Sequence, residues 1–259
     1  MISTLLPALG SGGLVGFSLG LVGGGGSILA TPLLLYVVGV TDPHVAIGTS
    51  AVAVSINAYA NLIAHARKGH VRWLCAAVFA SVGTLGAFLG SSLGLAIDGK
   101  RLLLFFGGLM VVVGLLMLRP RSAGAAPERP VDRRMCLLTG AAALGTGMAS
   151  GFFGIGGGFL IVPALVFATG MPMINAIGSS LLAVGTFGLA TALNYARAGL
   201  IDWGIAAQFV AGGIVGGILG MLLATRLSAG KATLNRIFAA LILTVAVYVI
   251  VKNLPAGVG

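Results

Sequence analysis

Two glycine-rich segments, separated by roughly 130 residues, repeat one pattern in both halves of the chain. The first is 23–26, followed by Pro32, and the second is 154–158, followed by Pro163. Both lie inside apolar runs, where each glycine costs a helix about 1 kcal/mol relative to alanine. Backbone N–H groups at such a break, and those of a helix that restarts after it, favour bound anions. The pair predicts an anion site made of main chain, whereas unbroken helices would use these glycines only for close packing.

Hydroxyl and amide side chains follow each glycine segment. A hydroxyl in the first turns of the next apolar run could donate to an oxyanion or bond back to its own helix. Asn57 lies within a span, where a buried amide needs a partner and often marks a pathway; a helix–helix hydrogen bond is the alternative. The candidate substrate-binding residues are Gly24, Gly25, Gly26, Ser27, Thr49, Ser50, Asn57, Gly156, Gly157, Gly158, Ser179 and Ser180.

Few charged or titratable side chains lie near these candidates. Arg67 and Arg197 close equivalent spans, where they either anchor the helix at the interface or gather anions at the mouth of a pathway. His65 precedes Arg67, and the simple interpretation is a histidine that reaches the interface. We expect a helix restarting at Ser27 and a second restarting near Gly158 or Phe159, facing each other across a pseudo-two-fold axis.

Acidic residues are absent from every predicted span. All five lie in predicted loops or in the polar stretch at mid-chain: Asp42, Asp98, Glu128, Asp132 and Asp202. Carriers driven by protons or sodium usually keep a carboxylate inside the membrane. Intramembrane enzymes need paired acids, a nucleophile with its base, or a metal site. The pattern excludes catalysis and predicts no metal and no cofactor.

Apolar helices must position these residues. The chain is 58% hydrophobic and 8% charged, with a mean hydropathy of +1.10, whereas soluble domains carry about a quarter charged residues. We predict an all-α polytopic membrane protein with about eight apolar segments in two homologous halves. Each half opens with a glycine-broken segment that either crosses once or turns back as a re-entrant hairpin. The net charge of +10 is scattered through loops, which argues against nucleic acid as a partner.

An internal repeat sets the domain boundaries. Residues 46–50 (AIGTS) match 176–180 (AIGSS), and the glycine spacings in 83–90 recur in 213–220. We predict an N-terminal membrane repeat at 1–118, a basic cytoplasmic linker at 119–134 and a C-terminal membrane repeat at 135–259, because loop arginines favour the cytoplasm. Single crossings would make the halves parallel and hairpins would make them inverted. The sequence leaves both topologies open.

The doubled motifs, taken as a set, resemble those of the TauE/SafE sulfite exporter family over residues 16–252. The resemblance implies a multi-pass permease of the cell inner membrane with two homologous halves, and substrates such as sulfite and organosulfonates. The two halves differ where Ser27 stands opposite Gly158. The residues that match the motifs are Gly23, Gly24, Gly25, Gly26, Pro32, Gly48, Ser50, Gly69, Gly154, Gly156, Gly157, Gly158, Pro163, Gly178, Ser180 and Gly199.

The sequence therefore predicts a secondary transporter of small sulfur-containing anions, working as an exporter. A membrane potential that is negative inside drives each negative charge outward by about 2.3 kcal/mol per 100 mV. The alternatives are an anion channel or a proton-coupled importer of organosulfur anions. The expected partners are a small anionic substrate and the lipid bilayer, and a homodimer stays open as an assembly state.

Overall fold

The computed structural model describes residues 2–118, 133–154, 158–226 and 231–253, and these residues form helices and contain no strand. The first half comprises α1 Ile2–Val22, a 3-10 helix Gly23–Leu29, α2 Ala30–Leu33, a π-helix Leu34–Val38, α3 Pro43–Arg67, α4 Trp73–Leu95 and α5 Gly99–Leu118. The second half comprises α6 Arg133–Phe153, α7 Gly158–Thr169, α8 Met173–Arg197, α9 Trp203–Arg226 and α10 Lys231–Asn253.

The helices have the length and surface of membrane spans. Six of the described helices are long and apolar enough to cross a bilayer, by length and composition. Large apolar side chains such as Leu6, Leu74 and Leu137 point outward and are mostly exposed, which suits lipid rather than water as the surrounding solvent. The prediction of an all-α polytopic membrane protein is confirmed.

The first glycine segment reverses the direction of the chain. Gly26 packs against Ser18 and Leu19 of α1, where a Cβ atom would overlap them. In a continuous helix, residues eight apart would be separated by about 12 Å. Residues 23–38 therefore run back along α1, and we call them the first re-entrant segment.

The second glycine segment does the same. Pro163 and Ala168 of α7 line one groove together with Leu138 and Ala142 of α6. Helix α7 thus returns alongside α6 from a turn in which Gly154 has a φ of +67°, a conformation that glycine adopts readily. We call residues 154–169 the second re-entrant segment, of which 155–157 lie outside the described residues.

These hairpins give the two halves opposite orientations. Gly48, near the start of α3, packs against the carbonyl of Leu200, just after α8. Gly178, near the start of α8, packs in the same way against the carbonyl of His70, just after α3. The equivalent helices α3 and α8 are therefore antiparallel, and the repeats are inverted about a pseudo-two-fold axis.

The halves are interlocked by glycine contacts. Gly16 of α1 lies against the carbonyl of Gly213 in α9, and Gly147 of α6 lies against that of Gly83 in α4. A Cβ atom added at Gly16 or at Gly147 would overlap the backbone of the partner helix. Such small residues let helices approach closely in lipid. The repeated glycines of α4 and α9 thus serve packing, and each such pair joins one half to the other.

Equivalent tight turns end the central helices. Gly69 after α3 and Gly199 after α8 have φ angles of +70° and +71°, in the left-handed conformation that often follows a helix. Trp73 and Trp203 begin the next helices and are more than half exposed. Because α3 and α8 are antiparallel, these two indole rings lie at opposite ends of the bundle, where they suit the two lipid interfaces.

Candidate functional site

Ser50 joins both re-entrant segments at the centre of the molecule. The 3-10 helix of the first segment packs against α7 of the second. The Ser50 hydroxyl lies 3.0 Å from the Thr31 hydroxyl of the first segment and 3.5 Å from the Gly154 carbonyl of the second. It also contacts the Ile47 carbonyl of its own helix at 2.9 Å. A buried hydroxyl on α3 thus links segments that are far apart in sequence.

The first glycine segment is not an open break. Gly24, Gly25 and Gly26 belong to a 3-10 helix, and no α-helix restarts at Ser27; regular α-helix begins at Ala30 and lasts four residues. The prediction of a restart at Ser27 is therefore wrong. Close packing against α1 explains the difference, since it leaves Gly26 no room for a side chain, and glycines tolerate the tighter 3-10 winding.

The second segment matches its prediction more closely. Helix α7 begins at Gly158, as expected, and the turn before it contains Gly154. Gly156 and Gly157 lie outside the described residues. Regular helix therefore starts at the last glycine of the second segment, whereas the 3-10 helix continues past the first segment to Leu29.

Thr49 and Ser179 hold the loops of the opposite half. The Thr49 hydroxyl accepts a hydrogen bond from the Asp202 N–H at 3.0 Å, and the Ser179 hydroxyl accepts one from the Arg72 N–H at 2.9 Å. The two contacts are related by the repeat, and each fixes the start of a helix, α9 or α4. Ser180 donates back to the Ile177 carbonyl at 2.8 Å. A role for these hydroxyls as substrate ligands stays a prediction.

Asn57 is the least satisfied candidate. Its side chain is fully buried, and neither amide atom has a hydrogen-bond partner. It packs against Gly213 of α9, and Asn61 donates to its backbone carbonyl at 2.9 Å. The equivalent position in the other half is Phe187, which packs against Gly83. One half therefore offers two free donors and an acceptor where the other offers a phenyl ring.

A different amide, that of Asn194, forms the kind of helix–helix hydrogen bond that was the alternative role for Asn57. Asn194 of α8 donates to the hydroxyls of Ser91 and Ser92 in α4, each at 3.0 Å. Asn57 has no such contact, although a lone buried amide costs about 1–3 kcal/mol. An amide left unpaired at this cost is suited to binding a ligand.

Arg67 and Arg197 lie at opposite ends of the bundle. Both are exposed, and they terminate the antiparallel helices α3 and α8. Arg197 lines an apolar groove of about 650 Å³ with Leu85, Phe88 and Leu193. It faces the outer surface of α4 and α8 rather than Ser50. One arginine at each end could attract anions to either mouth of a pathway.

The described candidate side chains are closed off from the surface. Each of five is 0% exposed: Ser27, Ser50, Asn57, Ser179 and Ser180. A solute could reach them only after the re-entrant segments or their neighbouring helices move.

The comparisons with known proteins agree with this architecture. The sequence model of the family described as Sulfite exporter TauE/SafE matches residues 8–249. The chain belongs to the TauE/SafE sulfite exporter family. The match includes both re-entrant segments and every candidate residue of the site.

Relatives of the TauE/SafE chain carry transporter names. A probable membrane transporter protein of Xylella fastidiosa (strain 9a5c) is 71% identical over 253 residues, which are 97% of each chain. The probable membrane transporter protein YdhB of Bacillus subtilis (strain 168) is 23% identical over 215 residues, covering 80% of this chain and 85% of the relative. No solved structure matches the chain. Family, relatives and helical spans together make this TauE/SafE member a multi-pass membrane transporter.

Sequence reasoning missed two features of this TauE/SafE site. Thr31, whose hydroxyl meets that of Ser50, was hidden in an apolar run, and only its position before Pro32 marked it. His65 was expected to reach the interface, but it is 2% exposed, so that expectation is wrong. It is covered because α1, from the start of the chain, packs against α3.

Proposed function

We propose that the chain is a secondary transporter that moves small sulfur-containing anions, such as sulfite and organosulfonates, out of the cell across the inner membrane. The observation that carries the proposal is the meeting of the two re-entrant segments at Ser50, inside inverted repeats. Paired, discontinuous helical segments at the interface of inverted repeats are where secondary carriers hold their substrates. The sulfur chemistry of the substrate is inferred from the family description.

The charges favour an anion over a cation. The described acidic residues, Asp42, Asp98 and Asp202, lie at or before the first turns of α3, α5 and α9. The described part of the central cluster contains hydroxyls, an amide and main chain but no carboxylate. A cation would have no counter-charge there, whereas an anion can accept hydrogen bonds from N–H and O–H groups. Outward movement of the anion follows the membrane potential.

The closed centre favours a carrier over a channel. Ser27, Ser50 and Asn57 have no exposed surface, and a channel needs a continuous pathway in its open state. Inverted repeats allow the same site to open to either side by exchanging the conformations of the two halves. Saturable counterflow would support the carrier, and flux that does not saturate would favour the channel.

Flux into and out of liposomes tests the proposal. The purified protein is reconstituted, and uptake of sulfite, sulfate, thiosulfate, sulfoacetate and taurine is measured under an imposed voltage. We expect saturable flux of at least one sulfur anion that increases when the voltage favours it. Flux that ignores voltage and follows only a pH gradient would contradict the voltage-driven exporter and support the proton-coupled importer. No flux of any member would overturn the proposal.

The substitution Ser50→Ala tests whether Ser50 belongs to the substrate site. Loss of the hydroxyl removes the link between Thr31 and Gly154, and we expect flux to fall about tenfold, as losing a hydrogen bond of about 1 kcal/mol or more implies. Ser81→Ala is the matched control, since Ser81 is exposed and bonds only to its own helix at Ala77. Equal flux in both variants would remove Ser50 from the site.

A further inference from the structure

A pair of histidines lies at one end of α3, in the half of the molecule that carries Asn57. The rings of His65 and His70 have centroids 5.7 Å apart. Both ring nitrogens of His65 and the Nδ1 atom of His70 are buried without a hydrogen-bond partner. The Gly20 backbone of α1 approaches the His65 ring, but outside the geometry of a hydrogen bond. Unpaired imidazole nitrogens in a buried place are available for a proton or a ligand.

Both halves of the molecule hold this pair in place. The His70 N–H donates to the His65 carbonyl at 3.1 Å, which folds the loop over the end of α3. Gly178 of α8 packs against the His70 carbonyl, and Ser179 accepts the Arg72 N–H. The loop that carries His70 is therefore fixed by contacts with the second half.

The pair has no copy in the other half. The residues that the repeat places opposite His65 and His70 are Tyr195 and Leu200. At that end of the bundle the nearest histidine to Tyr195 is His44, with ring centroids 6.2 Å apart. Two imidazoles meet at one end only, so any proton bound there would be bound on one side of the transporter.

Among the described residues, no carboxylate lies near the pair. The described groups near it are basic and exposed: Arg67, Lys68 and Arg72. Helix α1 and the 3-10 helix carry no titratable side chain. Helix α9 carries none from Trp203 to Thr225, and α8 carries none before Tyr195. The described charges of α5, Lys100 and Arg101, lie near Pro43 at the other end of α3. A buried imidazolium without a counter-charge is costly. A bound anion would supply that counter-charge.

We propose that His65 and His70 form a proton-binding site whose occupation is coupled to the substrate anion. This inference rests on the proposed function, because it assumes that the chain binds an anion. Binding of the proton favours the anion, and by linkage the anion favours the proton to the same extent. Asn57 and Asn61 precede His65 at intervals of four residues along α3, so one polar face leads from the histidine pair back toward the middle of the helix.

Anion affinity measured against pH tests the coupling. The full chain in lipid nanodiscs is titrated with sulfate, thiosulfate and sulfoacetate, whose charges are constant between about pH 5.5 and about pH 8, the range in which histidine titrates. We expect affinity to rise by up to about tenfold for each unit of falling pH, as one linked proton requires. His65→Gln should remove this dependence, and His44→Gln, at the opposite end of α3, should retain it. His70→Gln repeats the test at a half-buried loop position if His65→Gln does not fold.

The outcomes separate this inference from the proposed function. Anion binding that is equally strong at every pH overturns the coupling and leaves the transporter proposal standing. A pH dependence that persists in both His65→Gln and His70→Gln also overturns it. Absence of binding by every anion, sulfite included, overturns the proposed function and the coupling with it.

Discussion

At the scale of single residues, two buried side chains of α3 differ in type from their equivalents in the second half. Asn57 has no side-chain partner and its equivalent is Phe187, whereas His65 and its equivalent Tyr195 both carry unpaired polar atoms. The hydroxyls at Thr49 and Ser179, in contrast, are equivalent in both halves and both hold loops. The equivalent hydroxyls of Thr49 and Ser179 thus serve the architecture, whereas Asn57 offers free donors and an acceptor that its equivalent Phe187 does not.

Replacing Asn57 by leucine separates function from stability. The buried amide has no partner, so Asn57→Leu should raise the free energy of unfolding by about 1–3 kcal/mol, the cost of an unsatisfied polar group. Anion flux should be lost at the same time if the amide binds the substrate. Both quantities can be measured on one detergent-purified preparation, by denaturant unfolding and by reconstituted flux.

Asn194→Leu is the control for that experiment. Asn194 donates to two serine hydroxyls of α4, so its loss should lower the stability by about 1–2 kcal/mol. If Asn57→Leu also lowers the stability, Asn57 has a structural partner and is not a free ligand group.

At the scale of helices, glycine sets how closely elements of opposite halves approach. The contact of Gly16 with Gly213 and the contact of Gly147 with Gly83 bring backbone against backbone. The re-entrant segments depend on the same closeness, since Gly26 must lie on α1 for the chain to reverse. The glycine content thus serves reversal and packing, and only part of it belongs to the site.

Enlarging Gly16 tests the role of this contact. Gly16→Ala places a methyl group against the Gly213 carbonyl and should lower the unfolding temperature, at a cost of about 1–3 kcal/mol for an overpacked contact. Gly10→Ala, in the same helix, meets nothing within 4 Å and should leave stability unchanged or raise it slightly, because alanine favours helix. Equal effects of the two substitutions would exclude close packing at Gly16.

At the scale of the whole molecule, inversion places most of the described basic residues at one end of the bundle. Helices α3, α5 and α9 end there, and α4, α6 and α10 begin there. Eight of the twelve described basic residues lie at that end, and the other four, Lys100, Arg101, Arg197 and Lys252, lie at the opposite end. The eight are Arg67, Lys68, Arg72, Arg133, Arg134, Arg226, Lys231 and Arg236.

This asymmetry predicts the orientation in the membrane. Because basic loops stay in the cytoplasm, Lys68→Cys should be protected in intact cells from a maleimide that cannot cross the membrane, and Asp98→Cys should react. Both positions are exposed, so protection reports the side of the membrane rather than burial. A background without Cys75 and Cys136 is needed, and permeabilised cells give the total reaction. Reaction of Lys68→Cys in intact cells would reverse the orientation.

The sequence determined the class of the molecule, the duplication and the rough position of its centre. Apolar composition and repeated glycines are local properties, and they predicted helices, two halves and a candidate site that includes Ser50 without coordinates. They could not decide between parallel and inverted halves, because loop charges in the repeat are compatible with both.

Only the tertiary structure decided what depends on contacts between distant residues. The reversal at Gly26, the burial of His65 beneath α1 and the pairing of Thr49 with Asp202 each need a partner from elsewhere in the chain. Local sequence sets which backbone conformations are accessible, but the packing of one half against the other selects among them. That is why the tetraglycine forms a 3-10 helix and the expected helix start at Ser27 does not occur.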